Sequence, residues 1–156
     1  MKNTTVFTIL ISLFCISCKK SSLTDTCIEG RFPTSMLYKK MHETCYPNSL
    51  WVEVLNDKNL GRDLTLYNAY PILHPIPPTQ YTNIVELIFI DGFLETYTLE
   101  ELTGRKINFK FRHATKEEIN QVHSEQCQKL KAEFNVPLLV VTDWSYDGCP
   151  SPKQVM

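Results

Sequence analysis

The chain has 156 residues, of which 43% are hydrophobic, and a formal net charge of −1. This is enough apolar sequence for one domain with its own core. The near-neutral charge offers no basic face for nucleic acid. The composition therefore predicts a single globular domain and argues against a nucleic-acid partner.

The first element is a short apolar segment near the N-terminus. Lys2 supplies a positive charge, and residues 6–16 are apolar apart from Thr8 and Ser12. The segment is too short to cross a bilayer, which requires about 20 apolar residues. A charged start, a short apolar core and a small residue at its end, here Ser17, are typical of a secretory signal peptide.

The end of this segment resembles the lipobox of bacterial lipoprotein precursors. Ile16 and Ser17 precede Cys18 as the family pattern requires, and Cys15 stands where the family usually has leucine. The resemblance covers residues 1–18. It implies cleavage before Cys18 and lipidation of the Cys18 thiol, and two acyl chains at that residue would anchor the protein firmly to a membrane.

The same resemblance implies a location and a division of the chain. In this family a lysine after the lipidated cysteine, here Lys19, implies the outer membrane of the cell envelope, and we expect the protein to face the periplasm. Residues 1–17 are then a lipoprotein signal peptide and residues 18–26 a tether. Residues 27–150 are predicted to form a single disulfide-stapled β-rich domain, and residues 151–156 a tail.

The cysteines predict a disulfide framework. The chain has six cysteines, and four can form disulfides once Cys15 is cleaved off and Cys18 is acylated. The four that remain are Cys27, Cys45, Cys127 and Cys149. An even number of cysteines in an exported domain indicates two disulfides. Their spacing leaves three pairings open, but an extended strand over residues 30–40 would hold Cys27 and Cys45 apart. This favours the pairs Cys27–Cys127 and Cys45–Cys149.

Six segments of the chain have the composition of β-strands. They cover residues 32–40, 49–56, 64–70, 83–91, 105–112 and 137–144. The segment 83–91 is almost continuously apolar, which predicts burial on both faces. The segment 105–112 alternates apolar and polar residues and is typical of a half-solvated antiparallel strand.

One long helix is predicted over residues 116–134. Thr115 and Glu118 form a capping box at its start. One stripe of the helix carries Ile119, Val122, His123, Cys127, Leu130 and Phe134. These elements predict a mainly β (α+β) fold: a small antiparallel β-barrel or roll, loosely OB-like, with one long amphipathic helix packed on it. In OB barrels the helix follows the third strand, whereas here it follows the fourth or fifth.

Motifs of catalysis are absent from the sequence. It contains no G-x-S-x-G elbow and no glycine-rich phosphate loop, so we predict no enzymatic activity and no cofactor. Two alternatives stay open: a small envelope hydrolase, and a metal-binding lipoprotein. The metal alternative rests on four residues with a tetrahedral ligand set, which compete with the disulfide assignment. They are His42, Cys45, His123 and Cys127.

A proline-rich segment between two strands is the candidate contact surface. Prolines restrict the segment, and Tyr70, His74 and Tyr81 lie in or beside it. An alternative is that its apolar residues fold back and close the end of the barrel. The sequence therefore predicts non-catalytic binding of an envelope protein or a small ligand, with these three residues as anchors.

Overall fold

The computed structural model describes residues 24–45, 48–67, 77–122 and 134–150. These residues form six β-strands and four short helices, which confirms a mainly β domain. In chain order the elements are β1 (Thr24–Arg31), α1 (Met36–Cys45), β2 (Leu50–Val54), β3 (Arg62–Leu66), β4 (Thr79–Phe89), α2 (Phe93–Thr96), α3 (Leu99–Leu102), β5 (Lys106–His113), α4 (Lys116–Val122) and β6 (Leu138–Ser145).

Five of the strands are joined into a closed ring of hydrogen bonds. β1 pairs antiparallel with β2 and β5, β5 with β6, and β2 with β4. β4 and β6 close the ring as a parallel pair, and β3 is added to β4 outside it. The sheet is therefore mixed, and the prediction of a purely antiparallel arrangement is wrong at this pair. Parallel neighbours need a long connection, which α2, α3, β5 and α4 supply here.

The apolar residues of the ring strands form the main core. The alternation predicted for residues 105–112 is confirmed by the burial of Ile107, Phe109 and Phe111. The residues of β4 from Ile84 to Leu87 are all buried, as the continuous apolar pattern predicts. One side of β4 faces the main core, and the other joins a second cluster. That cluster contains Tyr38, Cys45, Trp51, Leu66, Tyr81 and Ile84.

The first strand and the first helix differ from the prediction. Residues 32–40 are not a strand, because α1 begins at Met36 and runs to Cys45. Tyr38 and Cys45 are buried on α1 at a spacing of seven, which is two turns of a helix. The strand lies earlier, from Thr24 to Arg31, so its first residues fall within the segment predicted as a tether.

The disulfide pairing also differs from the prediction. Cys27 is bonded to Cys149, with the two Cα atoms 5.8 Å apart. The sheet explains the pair, because Asn108 of β5 lies opposite Glu29 on one side and Ser145 on the other. The end of β6 is therefore brought close to Cys27. The favoured pairs Cys27–Cys127 and Cys45–Cys149 are wrong, and Cys45 is in a disulfide whose partner lies outside the described residues.

The start of the predicted long helix is present. The Thr115 N–H donates to Glu118 Oε2 at 2.8 Å and the Glu118 N–H donates to Thr115 Oγ1 at 3.3 Å, which confirms the capping box. α4 is described as far as Val122, and residues 123–133 lie outside the described residues, so the long helix stays a prediction. In the described ranges, no helix combines the length and hydropathy needed to span a membrane.

Candidate binding site between the first helix and the two short helices

The inner face of α1 packs against the ring through two buried residues. The Tyr38 ring stacks on Trp51 at 5.6 Å, and its hydroxyl accepts a hydrogen bond from the Trp51 backbone N–H at 2.8 Å. Cys45, two turns later, is buried and disulfide-bonded. His42 lies between them, with its ring 5.9 Å from that of Tyr38. The position of His42 is therefore set by the packing of α1.

The turn that carries α2 is fixed by aromatic packing. Gly92 has a φ of 74°, a left-handed conformation that glycine adopts without a steric penalty. The next residue, Phe93, is buried and stacks on Phe89 at 4.0 Å. Trp144 meets Phe93 edge-on at 4.8 Å, and its Nε1–H donates to Asp91 Oδ2 at 2.6 Å. These contacts hold α2 against the ends of β4 and β6.

α3 is capped at its start and tied to α1. The Thr98 hydroxyl accepts from the Glu101 backbone N–H, and the Glu101 carboxylate accepts from the Thr98 backbone N–H, as a capping box predicts. Leu102 is fully buried. An ion pair between Lys39 of α1 and Glu100 of α3 bridges the two helices. The hydrogen bond between them raises the pKa of Lys39 and lowers the pKa of Glu100, and the attraction of the opposite charges adds to both shifts.

A cavity of about 350 Å³ lies between α1 and the two short helices. We call it the His42 cavity. It is lined by His42, Glu43, Leu50, Leu94, Tyr97, Thr98, Leu99 and Leu102. A second cavity of about 430 Å³, which we call the Ile90 cleft, adjoins it. The Ile90 cleft is lined by Asn48, Phe89, Ile90, Gly92, Phe93, Leu94 and Glu95. Leu94 lines both, so the two form neighbouring parts of one concave region.

The His42 cavity combines an apolar lining with a few polar groups. Four of its lining residues are leucines, and two of them, Leu50 and Leu102, are almost completely buried. Its polar groups come from α1 and from the residues between α2 and α3. Largely apolar walls with a small number of placed polar groups are typical of sites for small molecules.

The ring of His42 is the least satisfied polar group of this cavity. Its Nε2 is buried and has no hydrogen-bond partner among the described residues. Burial lowers the pKa of His42 below 6.5, opposed by a hydrogen bond to the Ser49 backbone and by the charges of Glu43 and Glu86. The ring is therefore neutral at pH 7.

A buried polar pair lies behind His42. Ser49 and Glu86 are 0% and 3% exposed, and the Ser49 hydroxyl donates to Glu86 Oε1. In the described part of the chain, no hydrogen bond joins the Ser49 hydroxyl to the His42 ring. Ser49 therefore lacks the solvent access that a serine nucleophile requires.

The predicted contact residues are only partly described. Tyr70 and His74 lie outside the described residues. Tyr81 is 9% exposed and packs in the second cluster with Tyr38 and Trp51. Burial raises the pKa of its phenol. Tyr81 therefore contributes to the core and presents no exposed ring to a partner.

The other predicted site residues are also only partly described by the structure. Cys18, His123 and Cys127 lie outside the described residues. Cys45 is disulfide-bonded, so its thiolate is not available to a metal ion. Across the described ranges, no group of three or more His, Cys, Asp or Glu residues could hold a metal.

Several residues that line the cavity were not predicted from the sequence. Leu94 belongs to a helix too short to produce a periodic pattern, and Tyr97 follows that helix as its C-cap, so nothing in the sequence marks them. Glu86 gives a usable signal, since it is a single charge inside the apolar run 83–91. A charge at such a position must find a polar partner when it is buried, and Ser49 is that partner.

Comparison with known proteins assigns no family to this chain. No family model matches its sequence, and no curated protein matches it either. Function is therefore argued from the residues of the site.

Proposed function

We propose that this chain is a lipid-anchored domain of the bacterial cell envelope that binds a small ligand in the His42 cavity without converting it. The observation that carries this proposal is the cavity itself. It has a volume of about 350 Å³ and a lining rich in leucine, with His42, Glu43, Tyr97 and Thr98 as its polar residues. A ligand that covers the leucines would bury apolar surface, and the polar residues would orient it.

The signal segment and the start of β1 support an anchored domain. Ser17 and Cys18 follow the short apolar segment, and the periplasmic side of the outer membrane is the proposed location. β1 begins at Thr24, so residues 19–23 alone join the lipid-bearing residue to the sheet. Five residues span at most about 17 Å when extended. The proposed arrangement therefore holds the domain close to the bilayer surface.

The order of the strands supports an OB-like barrel for the ring. Barrels of this class contain five strands, and five strands are joined in the hydrogen-bonded ring. Their helix follows the third strand. β4 is the third ring strand in chain order, and α2 and α3 follow it directly. α2 and α3, which line the His42 cavity, therefore occupy the position of the OB helix in chain order. The long helix predicted over residues 116–134 comes too late in the chain for that position.

The groups around the cavity favour binding over hydrolysis. The Thr98 hydroxyl is engaged in the capping box of α3. The Ser49 hydroxyl is buried and bonded to Glu86. Neither is placed as a nucleophile beside His42, so the cavity is better suited to hold a molecule than to attack it.

Protein-observed NMR of the isotope-labelled domain, with a library of small apolar fragments, tests this proposal. Fragments that bind should shift backbone amide signals of residues 42–50 and 94–102. Leu94→Trp, which fills the cavity, should abolish these shifts. Leu55→Trp makes the same change at an exposed position and should leave them intact. Shifts that survive Leu94→Trp, or a library without any binder at these residues, would overturn the proposal.

Docking of an envelope protein is the second candidate function, and one observation favours it. Tyr67, at the end of β3, is 74% exposed and leads into the proline-rich segment. With Tyr81 buried, the anchors proposed there are Tyr67, Tyr70 and His74. The double variant Tyr70→Ala, His74→Ala should lose crosslinked envelope partners while its melting temperature stays within about 2 °C of wild type. A drop of several degrees would assign the segment to packing instead.

A further inference from the structure

We infer that α1 is an acid-sensitive wall of the His42 cavity: protonation of His42 loosens α1 from α2 and α3 and opens the cavity to solvent. The inference names a regulation of the proposed ligand site, so its consequence for the ligand rests on the proposed function. Three features of the structure carry it: the position of the ring, the surroundings of its buried nitrogen, and the contacts that fix the rest of α1.

The His42 ring lies where α1 meets the two short helices. Tyr38 is about one turn before it on α1, and the two rings are 5.9 Å apart. The ring lines the cavity together with Leu99 and Leu102 of α3. A change in the charge of this ring therefore acts at the contact between α1 and the walls contributed by α3.

The buried nitrogen of this ring is poorly placed to carry a charge. His42 Nε2 is buried and has no hydrogen-bond partner among the described residues. An imidazolium carries an N–H on both nitrogens, so protonation puts a donor at Nε2 whichever tautomer the neutral ring adopts. Burial of a charged group without a partner is unfavourable. The protonated ring is therefore more stable in an arrangement that exposes it to water.

The titratable groups on the elements around the ring do not reverse this effect. They are Lys39 and Glu43 of α1, Glu86 of β4, Tyr97 at the end of α2 and Glu100 of α3. Lys39 is already paired with Glu100. The carboxylates of Glu43 and Glu86 attract an imidazolium, but burial has the larger influence and lowers the pKa of His42 below 6.5. The folded arrangement is therefore most stable above pH 6.5 and loses stability as the pH falls below that value.

The contacts of the rest of α1 limit the change to one side of the helix. The Tyr38 hydroxyl accepts from the Trp51 backbone N–H, and Cys45 is disulfide-bonded. Neither contact involves a carboxylate or a histidine, so both persist in weak acid. The ion pair that links α1 to α3 is exposed, and exposed ion pairs contribute little stability. Loss of the His42 packing should therefore separate α1 from α3 while α1 stays attached to the ring of strands.

Amide hydrogen exchange of the full mature chain, measured without a ligand at pH 7.5 and pH 5.5, tests the inference. Protection factors, which correct for the pH dependence of chemical exchange itself, should fall about threefold to tenfold at residues 39–45. Tenfold is the ceiling, because pH 5.5 is one unit below 6.5. Residues 107–111 of β5 should keep their protection. The NMR signals of the His42 ring should titrate with a midpoint below pH 6.5.

Variants assign the response to His42. His42→Leu should show the same protection of residues 39–45 at both pH values, because leucine does not titrate and suits the apolar wall. His113→Leu makes the same change at an exposed position and should keep the wild-type response. His42→Gln, which is polar and does not titrate, replaces His42→Leu if the leucine variant does not fold.

A neutral probe tests the consequence for the ligand. Benzyl alcohol keeps the same charge at both pH values, and the tightest neutral fragment of the library replaces it if it does not bind. Titrations followed by amide shifts at residues 42–50 and 94–102 should show binding several-fold weaker at pH 5.5 than at pH 7.5. In His42→Leu the affinity should be the same at both pH values.

The outcomes separate the two proposals. Equal protection of residues 39–45 at both pH values, or an equal loss in wild type and His42→Leu, would overturn the inference and leave the cavity as a ligand site. A loss that extends to residues 107–111 would also overturn it, since the whole domain would then be unfolding. A probe that binds equally at both pH values would overturn the opening of the cavity. A library without any binder would overturn the proposed function, while the exchange measurement would still decide the response of α1.

Discussion

The Tyr38 hydroxyl accepts a hydrogen bond from the backbone N–H of Trp51 at 2.8 Å, so a side chain of α1 completes the hydrogen bonding of a ring strand. Both residues are at most 1% exposed. The same contact holds the helix that carries His42. The fold and the proposed ligand site therefore both depend on this hydrogen bond.

Tyr38→Phe should destabilise the domain. The substitution keeps the ring stacked on Trp51 but removes the acceptor of a buried N–H, which costs about 1–3 kcal/mol. Urea unfolding of the purified domain measures the change. Tyr67→Phe is the matched control, because Tyr67 is 74% exposed and its change should stay within about 0.5 kcal/mol. Equal stabilities of the two variants would contradict the role of this bond.

The pair Arg112–Glu118 should make stability depend on acid pH. Hydrogen bonds from the Arg112 guanidinium and from the Thr115 backbone N–H lower the pKa of Glu118 from 4.5 to about 2. A carboxyl with a lowered pKa stabilises the fold fully above its unfolded value and loses that contribution as the pH falls through the folded value. The loss is therefore expected between pH 4.5 and about 2.

Glu118→Gln isolates this contribution. The variant should be less stable than wild type at pH 6, and the difference should shrink as the pH approaches 2. Denaturation curves at pH steps through this window give the comparison. Glu117→Gln removes the neighbouring exposed carboxyl and should follow the wild-type profile in shape. A constant difference between Glu118→Gln and wild type across the window would refute the assignment.

The mature protein should contain no free thiol. Cys27 and Cys149 are bonded to each other, and Cys45 is disulfide-bonded. With Cys18 acylated, Cys127 is the expected partner of Cys45. Non-reducing peptide mapping should find Cys27–Cys149 and Cys45–Cys127. A Cys45 peptide linked to any other cysteine would contradict the second pair.

Loss of the Cys27–Cys149 bond should cost stability. The two residues are separated by 122 positions, and the removal of a native disulfide from a small domain costs about 2–5 kcal/mol. Cys27→Ser, Cys149→Ser should therefore melt well below wild type. An unchanged melting temperature would show that the bond does not restrict the unfolded chain.

Cleavage before Cys18 and acylation of its thiol are expected in the native host. Mass spectrometry of the membrane fraction should yield an N-terminal peptide that begins with a lipid-modified Cys18. Cys18→Ser should move the protein out of that fraction, whereas Cys15→Ser should not. A mature protein with an unmodified Cys18 thiol would overturn the lipoprotein assignment.

Patterns with strong periodicity predicted the strands well. The alternation around Phe109 and the apolar run around Val85 each identified a strand and its buried faces. The capping box at Thr115 was also correct, because it depends on residues three positions apart. Alternation and capping patterns predict structure correctly where interactions between residues close in the sequence determine the conformation.

Features that depend on the sheet were not predictable from local patterns. α1 was expected as a strand because Met36, Leu37 and Tyr38 are adjacent and apolar, yet its period becomes visible only when Cys45 is included. The disulfide pair is set by which strands are neighbours. The His42 cavity is formed by residues from three separate parts of the chain, so no single stretch could reveal it.

The Cys27–Cys149 bond also determines how the domain would carry mechanical load. Tension applied between the residues before Cys27 and the residues after Cys149 passes from one sulfur to the other. The chain between Cys27 and Cys149 does not carry this tension. It includes all the ring strands after the start of β1. Pulling on the two ends of the chain would therefore load this covalent bond and the first residues of β1, where Thr24 pairs with Phe111, and leave the rest of the sheet without load.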